Sequence, residues 1–278
     1  EVGYVNLSSF TDNCSQEVRK AIEELKEKGM QKLVLDLRGN PGGLLKEAVE
    51  LSNLFVAKGE LIVSTKGKVE EWNKDYKATQ TPLDKDMPLV VLVNSGSASA
   101  SEIVSGVIQD LDRGVIIGQR SYGKGLVQTT RPLSYNSQLK VTTAKYYIPS
   151  GRCIQALDYS NRRDDGSVGK VPDSLISVFH TKAGRLVYDG GGIRPDVELE
   201  PRQLSEVAFN LGMKMLYFDF ATEFYHKNKE IAAVQDFKIS DELYAEFKKW
   251  LDTKDFDYTT DSEKMLEELK EVAEEEKY

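Results

Sequence analysis

Asn94-Ser95-Gly96-Ser97-Ala98-Ser99-Ala100-Ser101-Glu102-Ile103 joins two apolar segments. Before it stands Pro-Leu-Val-Val-Leu-Val (88–93), a run of strand length. After it the chain stays apolar to Leu111, at a length that suits a helix. A buried strand, a turn of small residues and a helix over 99–111 is the unit of an α/β core. A serine at such a junction projects its oxygen away from the sheet. The helix start presents free N–H groups and a partial positive end, which suit a forming oxyanion. Ala98 and Ala100 leave room for a substrate backbone. The same residues also read as a plain capping box, Ser99-x-x-Glu102. Ser97 and Ser101 stay open as cap or nucleophile.

Working outward, Lys124 follows Ser99 by 25 residues (124 − 99 = 25), inside Ser121-Tyr-Gly-Lys-Gly-Leu-Val127. An amine with an ordinary pKa of ~10.4 is a poor base at neutral pH. Lowering it by ~3 units takes about 4 kcal/mol of desolvation or repulsion. No acid in that segment holds the ammonium charged, and the flanking glycines allow close backbone approach. A lysine in a flexible, wet glycine turn is the bland reading. The two histidines, His180 and His226, give a Ser-His-Asp triad few places to arise. Gly118 to Lys124 has the spacing of a phosphate-binding loop. However, Gly125 stands where Ser or Thr should hold magnesium, and strand formers follow instead of a helix. Nucleotide binding is not expected.

A third element is the turn Arg38-Gly-Asn-Pro-Gly-Gly43 after Lys-Leu-Val-Leu-Asp-Leu (32–37). A glycine-rich turn at the carboxyl end of a parallel strand can offer a second oxyanion donor, or can simply be a turn. Strands are also expected over 3–10, 61–65, parts of 69–76, 115–117, 125–131 and 138–148, with helices over 15–28 and 44–55. This alternation gives an α/β fold with parallel pairing. The polar stretch 158–173, with Asn161-Arg-Arg-Asp-Asp-Gly166, reads as an exposed loop, and 187–196 closes the core. After Pro201, helices are expected over 204–227, 240–252 and 261–277, the last a strongly acidic, solvated tail.

Composition bounds the rest. The 278 residues are 40% hydrophobic and 29% charged, ordinary for a globular chain. No apolar run approaches the ~18 residues of a membrane span. The net charge of −8 argues against general binding of nucleic acid. Cys14 and Cys153 match no metal spacing and are expected as free thiols. Neither a metal nor a cofactor is expected. The first residues lack an initiator Met and a signal core, as in a processed product or an excised fragment.

Taken together, Leu35-Asp-Leu-Arg-Gly-Asn-Pro-Gly-Gly43, the run 94–103, Tyr122-Gly-Lys-Gly-Leu-Val-Gln128 and Tyr188-Asp-Gly-Gly-Gly-Ile-Arg-Pro-Asp196 resemble the carboxyl-terminal processing peptidases, the tail-specific protease family. The match covers roughly residues 3–200, in family order. The resemblance implies an α/β, ClpP/crotonase-like core of strand-strand-helix turns over 1–200, with a helical C-terminal appendage over 201–278. It implies Ser99 as nucleophile, Lys124 as general base and Gln128 orienting the lysine. Ala100 N–H is one implied oxyanion donor, and Gly42 or Gly43 the other. Implied substrates are exported or envelope polypeptides, bound as extended chains and cut near their C-termini, in a periplasm or cell envelope. The family's PDZ domain is not in this chain, so an adaptor or a PDZ domain of its own is the expected partner. Two competing readings are a non-catalytic peptide-binding module and an acyl-CoA enzyme on the same fold.

Overall fold

The computed structural model describes residues 1–163, 165–201, 204–256, 258 and 260–277, without the side chains of 160, 161 and 173. The chain forms two compact units, Glu1–Pro201 and Arg202–Tyr278.

The first unit opens with β1 (Val2–Asn6), α1 (Cys14–Glu27), β2 (Lys32–Asp36) and α2 (Leu45–Asn53). Next come β3 (Leu61–Lys66), β4 (Lys74–Lys77), β5 (Leu89–Val93), α3 (Ala100–Asp110) and β6 (Val115–Gly118). β7 (Leu126–Pro132) and β8 (Gln138–Tyr147) form a long hairpin. The short strands β9 (Leu157–Arg162), β10 (Val168–Lys170), β11 (Val178–His180), β12 (Leu186–Tyr188) and β13 (Val197–Glu198) follow.

A parallel sheet in the order β1-β2-β5-β6-β13 forms the centre. Its inner strands are apolar because helices and loops cover them: Leu33, Leu35, Val91, Val93 and Ile116 are all buried. Every residue of α3 is buried, including Glu102, Gln109 and Asp110. Such a helix must hydrogen-bond its polar side chains within the protein, and that requirement shapes the site. An antiparallel sheet, β4-β3-β8-β7, stands beside the first. The serine run therefore leaves the carboxyl end of β5, the second inner strand.

The stretch 158–173 departs from the expected loop: β9 and β10 pair as an antiparallel hairpin. Asp164, inside the quoted polar run, lies outside the described residues. Cys14 and Cys153 are both free thiols.

In the second unit the helix expected over 204–227 is two helices, α4 (Glu206–Met213) and α5 (Leu216–Lys227). Met215 takes φ 58°, a left-handed value that ends one helix and starts the next. α6 (Asp241–Leu251) brings Phe247 and Trp250 against Tyr217 and Phe220, with ring centroids 5.0–5.8 Å apart across the two helices. The acidic α7 (Asp261–Glu275) starts at a capping box of Thr260 and Glu263. No helix among the described residues is long and apolar enough to cross a membrane.

Candidate active site

The three serines of the run have different fates. Ser97 Oγ donates to Leu37 O (2.7 Å) and accepts from Asn94 N, and Ser97 is fully buried. Ser101 Oγ donates to Asn40 O (2.9 Å) and is equally buried. Ser99 sits at the N-cap of α3 and keeps 7% exposure. Its backbone has φ 55°, ψ −111°, a combination that residues with a Cβ avoid. Holding it costs about 1–3 kcal/mol, so the surroundings must enforce it. They do so on both sides of the residue. Ser99 N donates to Glu102 Oε2 (2.8 Å), and Ser99 O accepts from Glu102 N (2.9 Å) and Ile103 N (3.0 Å).

Glu102 does more than cap. Oε1 accepts from Ser121 Oγ (2.5 Å) and Gly123 N (2.7 Å), and Oε2 from Ser99 N and Lys124 N (both 2.8 Å). One buried carboxylate thus ties the serine's backbone to the lysine's. Burial pushes its pKa up and the donors push it back. Three of the four donors are backbone N–H groups, which can only donate, so those contacts favour the charged form. Gln155, also buried, accepts Gly125 N (2.8 Å). The three consecutive amides 123–125 are therefore held by Glu102 and Gln155. Lys124 itself leads into β7 rather than a helix, unlike the lysine of a phosphate-binding loop.

The glycine turn docks on the serine run through Asn40, which is fully buried. Its carbonyl accepts Ala98 N (3.0 Å), its Nδ2 donates to Leu7 O (2.7 Å) and its Oδ1 accepts Gly42 N (2.9 Å). Gly42 has φ 97°, and a Cβ there would stand 2.8 Å from Ser99 Cβ and 2.9 Å from Ala100 N. Only glycine lets the turn press so close to the candidate nucleophile. Gly43 packs against Phe10. Gly42 N is engaged, whereas Gly43 N–H and Ala100 N–H have no partner among the described residues.

Ala98, Lys124 and Gln128 line one cleft of about 400 Å³, together with Pro41 and Tyr122. Lys124 is half-buried, and Gln128, on β7, is exposed. The Lys124 ammonium has no ion pair or hydrogen bond among the described residues, and none joins it to Ser99 Oγ. The Tyr146 phenol lies beside the Ser99 hydroxyl instead; its own pKa is pushed up by burial and eased back by that serine. His180 and His226 are exposed, and neither lines the cleft. Among the described residues no three His, Cys, Asp or Glu side chains cluster as metal ligands.

Sequence reasoning named Ser99, Lys124, Gln128, Ala100 and the glycine pair. The fold presses Gly42 against Ser99 and Ala100, and sets Lys124 and Gln128 on one cleft. Sequence reasoning missed Glu102's second role, Asn40, Tyr146 and Gln155. Glu102 was visible only as a helix cap. A buried acid among apolar helix residues was the available signal of a further role.

The chain matches the profile described as "Peptidase family S41" over residues 1–160, and that described as "Probable PDZ-protease, C-terminal helical domain" over 207–278. It is 45% identical over 161 residues to a "Carboxy-terminal-processing protease" of Bartonella bacilliformis, covering 56% of this chain and 37% of that protein. Identity is 42% over 159 residues to a "Probable CtpA-like serine protease" of Staphylococcus aureus, covering 55% and 31%. The chain thus spans about a third of the curated relatives' length. Among solved structures, the photosystem II D1 C-terminal processing protease superposes with a TM-score of 0.55 at 34% identity, over 73% of this chain and 44% of that one. A mixed α/β unit that shares this fold, and a family profile that takes in more than half of the residues, make this chain a member of peptidase family S41.

Proposed function

We propose that this chain carries the catalytic core of a serine endopeptidase that cuts polypeptides near their C-termini, with Ser99 as nucleophile and Lys124 as general base. The observation that carries the reading is the strained backbone of Ser99 at the mouth of α3, beside a cleft that Lys124 lines. Strain of this kind is kept where a side chain must be aimed.

In this reading neutral Lys124 takes the Ser99 proton as Oγ attacks a peptide carbonyl. The amine then returns the proton to the leaving nitrogen, and water cleaves the acyl-enzyme. The oxyanion rests on Ala100 N–H and Gly43 N–H. Gly42 is assigned a different part: it lacks the Cβ that would crowd the serine. Gln128 orients the lysine from β7. We assign the core, 1–200, to ClpP/crotonase-like strand-strand-helix turns and 201–278 to a helical appendage. The names of the relatives support C-terminal processing. The helical profile's name supports a PDZ domain as partner. A periplasmic or envelope location rests on the resemblance alone.

One observation favours a second reading, a non-catalytic peptide-binding module: no hydrogen bond joins Lys124 to Ser99 among the described residues. Catalytic hydrogen bonds are often long before substrate binds and tighten in the complex. The test is hydrolysis of an unfolded protein with a free or an amidated C-terminus. Ser99→Ala and Lys124→Ala are each expected to lower kcat by at least about 10³-fold with an unchanged melting temperature. Normal turnover by either variant, or no hydrolysis by the unaltered chain while peptide still binds, would favour the binding module.

A further inference from the structure

Leu126, Gln128, Gln155, Leu157 and Tyr159 line the cleft that Lys124 lines and also a larger trough of about 860 Å³. The trough is therefore a continuation of the cleft. β7 alternation explains the sharing: Leu126 and Gln128 face the trough, while Val127, Thr129 and Arg131 line a pocket on the other side. Leu126, Leu157, Val171 and Leu175 give the trough apolar surface.

Its polar lining is unusual for this chain. Lys66, Lys68, Lys145 and Arg162 line it, in a protein whose net charge is −8. None of these cations has an ion pair among the described residues. Lys66 lies over the Tyr147 ring at 5.1 Å and Arg162 over Tyr159 at 6.0 Å. Two acids also line the trough, Asp158 and Asp189, and Asp189 Oδ1 already accepts Ser177 N (2.7 Å). Most telling is the register. Lys66 and Lys145 are direct cross-strand partners on β3 and β8. Like charges placed opposite one another destabilise a sheet, and no acid among the described residues pairs with either lysine. A local rule broken without a compensating contact points to a ligand that supplies it.

We propose that this trough is a substrate subsite selective for acidic, extended polypeptide: carboxylate side chains beside the scissile segment pair with Lys66, Lys145 and Arg162, and bulky apolar ones fill the floor. The placement of the substrate rests on the peptidase reading above. A polypeptide fits better than a nucleic acid. The cations are discrete, two acids interrupt them, and the chain as a whole repels a polyanion.

The test uses the 278-residue chain carrying Ser99→Ala, so that peptide is bound and not consumed. Fluorescence anisotropy is measured with three matched extended peptides that carry Glu, Gln or Lys at alternate positions. The Glu peptide is expected to bind at least about tenfold more tightly than the Lys peptide at low ionic strength, less so in high salt. Lys66→Glu is expected to reduce that preference about fivefold or more while raising the melting temperature, since it turns a like-charge pair with Lys145 into an opposite-charge one. Equal binding of the three peptides, an unchanged preference in Lys66→Glu, or a single-stranded oligonucleotide that competes more tightly than the Glu peptide would overturn the proposal. Hydrolysis by the unaltered chain, followed in parallel, separates the two claims. Cleavage without charge preference sinks the subsite alone. A charge preference without cleavage sinks the peptidase and leaves the subsite standing.

Discussion

At Glu102 a carboxylate with almost no solvent accepts hydrogen bonds from Ser99, Ser121, Gly123 and Lys124. Replacing it by Gln keeps the shape, but one oxygen becomes an NH₂ group that cannot accept. Two of the donors then lose their partner. Each buried donor left unsatisfied costs about 1–3 kcal/mol, so Glu102→Gln is expected to destabilise the protein by about 2–6 kcal/mol. Under the proposed mechanism it should also lower kcat by about 10²-fold with little change in KM, because a shift of about 1 Å in Lys124 relative to Ser99 is enough for that. Amide exchange at 121–125 should quicken in the variant. Unchanged exchange there, with normal kcat, would show that the hub positions nothing. Why sequence reasoning saw only half of this residue is a matter of range. The bond from Ser99 N spans three residues and follows from helix geometry, whereas those from Ser121, Gly123 and Lys124 span 19 to 22 and exist only once β6 lies beside β5. The residues alone left Ser97, Ser99 and Ser101 open and the resemblance pointed to Ser99; the partners that engage the other two, Leu37 O and Asn40 O, come from a turn some 60 residues away.

Among the elements, those with strong periodicity were legible and those without it were not. β2, β5 and α3 are rich in apolar residues over the length of a strand or a helix, so their sequences announce them. The β9–β10 hairpin is mostly polar and solvated, and gives no alternation to read. The break between α4 and α5 has no proline to mark it. It rests on one left-handed residue, Met215, a good helix former whose type gives no sign of a break. α1 offers a test of how elements are tied together. Lys26 Nζ meets Asp84 Oδ2 at 2.6 Å, and Asp84 Oδ1 accepts Met87 N (2.8 Å) ahead of β5. The ammonium of Lys26 holds the Asp84 carboxyl down, at about 2. A carboxyl whose pKa is lower folded than unfolded adds stability above the unfolded value, ~3.9, and loses it as pH falls through the folded one. Both side chains are partly exposed, so Lys26→Ala should cost only about 1 kcal/mol near neutral pH. That cost should shrink as pH falls from about 4, where the free carboxyl titrates, to about 2, where the paired one does. Urea melts of both proteins across this range check it. A difference that persists at the acid end would assign the loss to packing of the lysine stem.

For the whole molecule, the change of composition after Pro201 falls where the two units meet, but nothing in the sequence marks how unequal their cores are. The continuous buried cluster, from Val5 to Ile193, belongs entirely to Glu1–Pro201. In Arg202–Tyr278 only Leu211 and Leu216 are buried hydrophobic residues among those described. Along α7, Met265 (69%) and Leu269 (63%) remain largely exposed. Local opening free energy follows buried apolar contact, so the two units should not share one stability. Native-state amide exchange is expected to be slowest in β2, β5 and α3, near the global limit, and at least about 10²-fold faster throughout α7. Residues 1–201, expressed alone, should fold and unfold cooperatively, since excision removes none of that cluster. If α7 exchanged as slowly as α3, or if 1–201 failed to fold, stability would be a property of the whole chain rather than of its first unit.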